Sequence, residues 1–118
     1  MIMSEYRKIL FSIDEGIARI TLNRPDKRNA LDGEIISEIR DAVDRTARDE
    51  SAGVILVAGA GKDFCSGADL AALQRISEAT VMDNVSGRAT FAELFIAMRN
   101  HPRPIIAAVR GRALAGGC

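Results

Sequence analysis

The sequence predicts a mixed α/β fold with a partly parallel sheet, and three observations lead to this prediction. Two β-type runs, at residues 9–13 and 17–22, are separated only by Asp14-Glu15-Gly16, which is typical of a hairpin. An amphipathic helical segment follows them. Short uninterrupted apolar runs at residues 54–58 and 105–109 each come after a helical segment, which is typical of parallel strands covered on both faces.

The first helix is predicted to begin after Asp32, a good capping residue, and to run to about Asp49. Its apolar side chains recur at steps of three and four and lie on one face: Ile35, Ile36, Ile39 and Val43. Residues 23–29, which precede it, read as a polar loop that contains a proline. The pattern over residues 71–86 is weak and predicts a short helix with a mobile connection.

A second amphipathic helix is predicted over residues 88–100, and Pro102 and Pro104 follow it. Its apolar stripe is expected in the core: Phe91, Leu94, Phe95 and Met98. After the strand at 105–109, Gly116-Gly117 stands where a further helix should begin. Because the last strand would otherwise leave apolar faces in water, we expect the chain to be the front part of a larger fold.

Composition excludes several classes of protein. The chain has 118 residues, enough for one domain or part of one, and its 16 Lys and Arg balance 16 Asp and Glu. A net charge of zero argues against nucleic acid or an anionic membrane as a partner. No apolar run approaches the roughly 20 residues of a membrane span, and the start lacks the apolar core of a signal peptide, so we expect a cytoplasmic protein. Two cysteines and one histidine predict neither a disulfide framework nor a metal site.

Two glycine-containing turns are the most informative features for chemistry. Ser66-Gly67-Ala68-Asp69 and Ala115-Gly116-Gly117 both place small residues where a strand leads into a predicted helix. Turns of this kind on neighbouring parallel strands can direct two backbone N–H groups at one point, as in an oxyanion hole. The start of a helix behind each turn would add positive potential. Spacing alone favours the simpler interpretation, two tight turns without a ligand.

Individual side chains point less clearly to a reaction. Ser66 does not lie in the Gly-x-Ser-x-Gly motif of a nucleophile, and Cys65 is predicted to be a buried small apolar residue. His101, at a helix end before Pro102, is expected to have a structural role opposite the helix dipole. The spacing of Gly59-Ala60-Gly61-Lys62 is wrong for a phosphate-binding loop.

Several segments, taken together and in order, resemble the enoyl-CoA hydratase/isomerase (crotonase) superfamily. They are Asn23-Arg24-Pro25, Arg28-Asn29-Ala30-Leu31, Phe64-Cys65-Ser66-Gly67-Ala68-Asp69-Leu70, Arg103-Pro104-Ile105-Ile106-Ala107-Ala108-Val109 and Ala113-Leu114-Ala115-Gly116-Gly117-Cys118. The resemblance implies a ClpP/crotonase-like α/β spiral of ββα repeats. It implies that residues 1–118 are the N-terminal portion of one such domain, without the C-terminal part and the trimerisation helices. Relatives assemble as homotrimers or as hexamers.

The resemblance also implies a function. Crotonases bind acyl-CoA thioesters and stabilise an enolate with two backbone N–H groups, which here match Ala68 and Gly116. Contacts to coenzyme A and the thioester fall on Arg28, Ala30, Ser66, Gly67, Ala68, Asp69, Leu70 and Gly116. No metal is involved, and coenzyme A is part of the substrate, so no separate cofactor is expected.

The chain departs from the family pattern at a few positions. Ala115 replaces the first glycine of a triplet, and Arg110 and Arg112 stand where Asn and an aromatic residue are frequent. The catalytic glutamates of hydratases would fall beyond Cys118. In relatives, the region after the segment that matches Leu70 lines the acyl pocket. Three acidic residues lie in that region here, and surface solvation is the expected role of each: Glu78, Asp83 and Glu93.

Three functions follow from these observations. The first is an enoyl-CoA hydratase or isomerase, a lyase-type enzyme of fatty acid metabolism, in which this chain alone would be inactive. The second is a truncated, non-catalytic fragment that binds coenzyme A or a partner chain. The third is a ClpP-like serine protease, which would need a Ser/His/Asp set that Ser66 and His101 do not suggest.

Overall fold

The computed structural model describes residues 2–3, 6–69 and 91–118. The predicted helix at 71–86, the beginning of the helix predicted from residue 88, and the candidate residues Leu70, Glu78 and Asp83 lie outside the described residues.

One five-stranded sheet organises the described residues, and its strands follow each other in chain order. The strands are β1 (Ile2–Met3), β2 (Ile9–Asp14), β3 (Ile17–Leu22), β4 (Val54–Gly59) and β5 (Ile105–Ala108). Strands β1, β2 and β3 pair antiparallel, whereas β3, β4 and β5 pair parallel. The prediction of a hairpin leading into a parallel sheet is therefore confirmed.

The hairpin between β2 and β3 has a two-residue turn. Glu15 and Gly16 occupy it with φ angles of 52° and 79°. Positive φ at both central residues is typical of a type I′ turn, whose twist matches that of the strands it joins. The turn fixes a register in which Ile9 pairs with Leu22 and Phe11 pairs with Ile20, so the apolar side chains of both strands share one face.

Helix α1 (Gly33–Arg48) covers that face and begins as predicted. The side chain of Asp32 accepts a hydrogen bond of 2.9 Å from the Ile35 amide, which satisfies a donor that the helix itself cannot. The buried face of the helix comprises Ile35, Ile36, Ile39, Ala42, Val43 and Thr46. Fully burying an isoleucine contributes about 1.5–3 kcal/mol, so this face anchors the helix to the sheet.

Two described elements after residue 90 have exposed apolar side chains. In the described part of helix α2 (residues 91–99), Leu94 is buried but Phe95 is 44% exposed. Strand β5 ends at Ala108, and its Ile106 is 53% exposed. The face of β5 that carries Ile105 and Ala107 lines an apolar cavity, whereas no described element covers the face that carries Ile106. This exposure is what the sequence predicts for the last strand when the helix that would cover it is missing.

The parallel half of the sheet brings three loops to one edge. Leu22 pairs with Gly59, and Ala58 pairs with Ala108, so β3, β4 and β5 all end at the same edge. The loops that follow these strands contain the motifs singled out in the sequence. In parallel sheets this carboxyl edge is where ligands bind.

Candidate active site

The turn that contains Ala68 lies between two other segments of the chain and pairs with both. One isolated bridge joins Leu31 to Ala68, and another joins Cys65 to Ala113, both in parallel orientation. Leu31 donates to the Gly67 carbonyl at 2.7 Å and accepts from the Asp69 amide at 2.8 Å. The turn is therefore held on one side by the loop before α1 and on the other by the loop after β5.

This pairing determines where the Ala68 N–H points. In a parallel bridge one residue makes both hydrogen bonds, to the neighbours of the residue opposite. Leu31 makes them here, so the N–H of Ala68 is directed away from Leu31 and towards the loop after β5. Among the described residues it has no acceptor.

The turn around Gly116 also presents an N–H group without a described acceptor. Residues Ala115–Gly117 form a single 3₁₀ turn. The amides of Gly117 and Cys118 donate back to the carbonyls of Leu114 and Ala115, at 2.7 and 3.0 Å. As at the start of any helix, the N–H groups of the first residues have no partner within the turn.

The two turns are in direct contact. A Cβ atom placed on Gly67 would lie 2.9 Å from the Leu114 carbonyl oxygen and 3.5 Å from the Gly116 nitrogen. Standard bond lengths then put the amide nitrogens of Ala68 and Gly116 at most about 7 Å apart. Gly67 has a φ of 94° as well, so conformation and space both require glycine at this position.

An apolar cavity of about 400 Å³ lies beside Gly116. Side chains from the sheet, from both helices and from the loops line it, among them Leu31, Val57, Cys65, Phe95 and Met98. An N–H group at the margin of such a cavity acts in a medium of low dielectric constant, where its attraction for negative charge is stronger than in water.

A second cleft, of about 380 Å³, carries positive charge. It is lined by Arg28, Lys62 and Arg112, together with two acidic side chains. One of these, Asp63, accepts hydrogen bonds from the backbone and side chain of Arg112 at 3.0 and 3.2 Å, which hold the pKa of its carboxyl below the ordinary value.

Lys62 and Arg112 are residues of this cleft that the sequence analysis did not assign to the site. The signal that could have identified them is topological. Arg28, Lys62 and Arg112 follow three strands that end at one edge of the sheet.

The remaining predicted site residues lie around the Leu31–Ala68 bridge. Ser66 donates its backbone N–H to the Arg28 carbonyl at 3.1 Å. Ala30 is buried, and its carbonyl accepts from Arg24 at 2.9 Å. The carboxylate of Asp69 lies 3.0 Å from the same guanidinium, so its charge is balanced within the protein.

Cys65 is almost completely buried, as predicted, and its thiol donates to the Asn29 carbonyl. Burial raises the pKa of the Cys65 thiol, which disfavours the thiolate form that a nucleophile would need.

The structure does not bring Ser66 and His101 together. The His101 ring contacts the carbonyl oxygens of Val43, within α1, and of Arg103, each at 3.2 Å, and so links α1 to the segment after α2. The role of His101 is structural, as predicted, but its ring contacts α1 and Arg103 and not the end of its own helix. The serine protease interpretation is left without its base.

Two features typical of other classes of protein are absent from the described residues. No three His, Cys, Asp or Glu side chains are grouped there as a metal ion would require. Within the same ranges, no helix has the length and apolar character needed to cross a membrane.

Comparison with known proteins gives a consistent result. The family profile described as enoyl-CoA hydratase/isomerase matches residues 12–118. A protein of Mycobacterium tuberculosis named probable enoyl-CoA hydratase is 40% identical over 116 residues, which are 98% of this chain and 44% of that protein. The chain thus spans less than half the length of this relative.

Solved structures agree with this match. A crystal structure of an enoyl-CoA hydratase from Shewanella pealeana has a TM-score of 0.93 at 28% identity, over 96% of this chain and 43% of the other. That of an enoyl-CoA hydratase/isomerase from Xanthobacter autotrophicus has a TM-score of 0.90 at 42% identity, with 96% and 42% covered.

Proposed function

The chain belongs to the enoyl-CoA hydratase/isomerase (crotonase) family, and from this premise we propose that the whole protein hydrates or isomerises enoyl-CoA thioesters. The fold expected from the resemblance is confirmed by the crotonase-fold structures that the chain matches. What we propose beyond the fold is the reaction and the roles of individual residues in it.

The observation that carries the proposal is the pair of N–H groups at Ala68 and Gly116. Each lacks an acceptor among the described residues, and they belong to turns that touch each other. Hydration and isomerisation of an enoyl thioester both place negative charge on the thioester oxygen. Two fixed N–H donors that converge on this oxygen would lower the barrier, because they need no reorganisation as the charge develops.

The positively charged cleft supports coenzyme A as the carrier of the acyl group. Coenzyme A has several phosphate charges, and the three cations of the cleft, Arg28, Lys62 and Arg112, outnumber its two acidic side chains at the same edge of the sheet as the two amides. Arginine and lysine are the residues that most often bind phosphate groups. We therefore assign the phosphates to this cleft and the thioester to the two turns.

The proton transfers are assigned to carboxylates that the described residues do not provide. Glu93, a candidate from the sequence, is largely exposed on α2 and lies 3.9 Å from Arg40 of α1. The described residues thus carry the anion-stabilising part of the proposed site. A fragment that binds coenzyme A without chemistry is the alternative, and the experiment below distinguishes the two.

The decisive experiment compares two substitutions at Gly116 in the whole protein, with a short enoyl-CoA as substrate. Gly116→Pro removes the N–H and is expected to lower kcat by about 10²–10³-fold, the usual cost of one oxyanion donor. Gly116→Ala keeps the N–H, and its Cβ would meet only Leu31 Cδ1 at 3.9 Å, so it serves as the matched control.

Three outcomes of this experiment distinguish the proposal from its alternative. Equal activity of the two variants would contradict the assigned role of Gly116. Calorimetry that shows binding of the acyl-CoA, with no turnover by the unmodified protein, would favour the non-catalytic alternative. Loss of kcat in the proline variant alone supports the proposal.

The proposal extends to assembly and composition. We propose that the whole protein forms a homotrimer or hexamer and needs no cofactor beyond the coenzyme A of its substrate. Sedimentation equilibrium tests the first statement, and turnover after exhaustive dialysis against a chelator tests the second.

A further inference from the structure

We propose that Arg24 is a positioning residue that fixes the direction of the Ala68 N–H by joining the two segments of the Leu31–Ala68 bridge. The inference rests on the function proposed above. It assigns a role to a side chain outside the set of proposed substrate contacts.

The Arg24 guanidinium makes three contacts from a position of 17% side-chain exposure. Its Nη1 atom lies 2.9 Å from the Ala30 carbonyl oxygen, 3.0 Å from an Asp69 carboxylate oxygen and 3.5 Å from an Asp32 carboxylate oxygen. Hydrogen bonds between charged partners are about twice as strong as neutral ones, and partial burial strengthens them further.

These contacts lie next to the bridge on both of its segments. Ala30 precedes Leu31, and Asp69 follows Ala68. The bridge itself has only two hydrogen bonds, between Leu31 and the neighbours of Ala68. Arg24 therefore contacts one residue on each segment, Ala30 and Asp69, and so holds the two segments together. This resists sliding or rotation of the 66–69 turn relative to the loop before α1.

Removal of the guanidinium would also create repulsion. Asp32 and Asp69 approach the same Nη1 atom, so without it two partly buried carboxylates face each other. Asp32 keeps a partner in Lys8, and Asp69 would lose the partner that links it to the loop before α1. The expected response is displacement of Asp69, and with it of the adjacent Ala68 amide.

The test measures kcat and KM of the whole protein for a short enoyl-CoA in three variants. Arg24→Met removes the charge with little change in length and is expected to lower kcat about 10-fold to 10²-fold with KM within about 3-fold, because a misplaced donor affects the transition state most. Arg24→Lys keeps a charge and is expected to recover part of the loss. Arg103→Met is the matched control: Arg103 is also partly buried and donates to a backbone carbonyl, of Thr46, but has no link to Asp69.

Hydrogen exchange of the peptides that contain Leu31 and Asp69 provides a readout independent of activity. In Arg24→Met these two amides are expected to exchange about tenfold faster or more than in the unmodified protein, with no change in Arg103→Met. Unchanged exchange and unchanged kcat in Arg24→Met would overturn the inference. So would equal losses in Arg24→Met and Arg103→Met, which would indicate general destabilisation.

The two proposals can fail separately. If the unmodified protein has no activity on enoyl-CoA, the proposed function fails. The exchange rates then still decide whether Arg24 holds the bridge.

Discussion

Asn29 is the residue that joins the loops of the site most extensively. Its side chain is fully buried and accepts from the Arg24 amide at 2.8 Å. The nitrogen of its side-chain amide, Nδ2, donates to the carbonyls of Ala60, Asp63 and Phe64 at 2.9, 2.9 and 3.2 Å. It also has a φ of 56°, a conformation that asparagine tolerates better than most residues. Asn29 thus fixes the distance between the loops that carry the proposed coenzyme A contacts.

Replacing Asn29 by alanine should therefore destabilise the protein strongly. Several buried backbone groups would lose their partner, at about 1–3 kcal/mol each, so we expect a loss of about 3 kcal/mol or more in the free energy of unfolding. Urea denaturation of the whole protein measures it. Arg28→Ala is the control, because Arg28 is exposed and has a similar φ of 53°, and it should cost about 0.5 kcal/mol at most. Equal losses would show that the backbone conformation, and not the hydrogen bonds, sets the stability.

Asp32 makes the stability of the folded protein depend on pH. Burial by itself would raise the pKa of Asp32, but hydrogen bonds from Lys8 and the Ile35 amide, with the charge of Arg24, hold it below its ordinary value. A carboxyl whose pKa is lowered on folding stabilises the folded state at pH values above its ordinary pKa of about 3.9. This stabilisation is lost as the pH falls through the lowered pKa.

Asp32→Asn isolates this charge effect, because asparagine caps a helix about as well as aspartate. The variant should be less stable than the unmodified protein at pH 7, and the difference should shrink as the pH falls from 5 to 3. Urea midpoints at several pH values would show it. A difference that stays constant with pH would mean that the charge of Asp32 contributes nothing.

Local sequence was sufficient to predict the cap at Asp32, since its partner Ile35 is three residues away. It was insufficient for Asn29, whose partners at residues 60–64 lie more than 30 residues further along the chain. The same holds for Arg24 and Asp69, which only the fold brings together. Residues 28–31 and 64–70 carried the family resemblance, but the sequence did not show that they bond to each other.

At the scale of elements, the contact between two turns determines the geometry of the proposed site. Gly67 lies against Leu114 and Ala115, and Gly117 lies against Cys65, where an added Cβ would come within 2.4 Å of the carbonyl oxygen. The two turns therefore pack through their main chains. A side chain at either glycine would separate the amides that the proposal requires to converge.

Gly67→Ala should reduce activity and stability together. The new Cβ would lie 2.9 Å from the Leu114 oxygen, and alanine would have to adopt a φ of 94°. A residue forced into such a conformation costs on the order of 1–3 kcal/mol. Gly33→Ala is the control, since a Cβ there meets nothing within 4 Å. Wild-type kcat and thermal midpoint in Gly67→Ala would contradict the close packing of the turns.

The sequence predicted those elements whose pattern is local. The hairpin turn and α1 depend on residues within a few positions of each other, and both were predicted to within one or two residues. The core position predicted for Phe95 is wrong, since this side chain is 44% exposed, because burial depends on what packs against an element. An apolar run is the same in a central strand and in an edge strand.

For the molecule as a whole, the distribution of apolar surface is uneven. The face formed by α1 and strands β2–β4 is well covered, whereas five large apolar side chains of α2, β5 and the following segment are about half exposed: Phe95, Ile96, Ile106, Val109 and Leu114. Among the strands that the structure describes, β5 is the last of the sheet and pairs only with β4. An exposed apolar edge strand is a template for association with other chains.

The 118-residue polypeptide should therefore self-associate through β5 when prepared by itself. Ile106→Lys places a charge on this edge, and it should reduce the weight-average mass measured by sedimentation velocity at concentrations where the unmodified polypeptide associates. Ile96→Lys is the matched control: Ile96 is 58% exposed, close to the value for Ile106, but lies on helix α2 and not on the edge of the sheet. If exposed apolar area alone drove association, the two lysine variants would behave alike. If the edge of the sheet drives it, only Ile106→Lys will lower the mass.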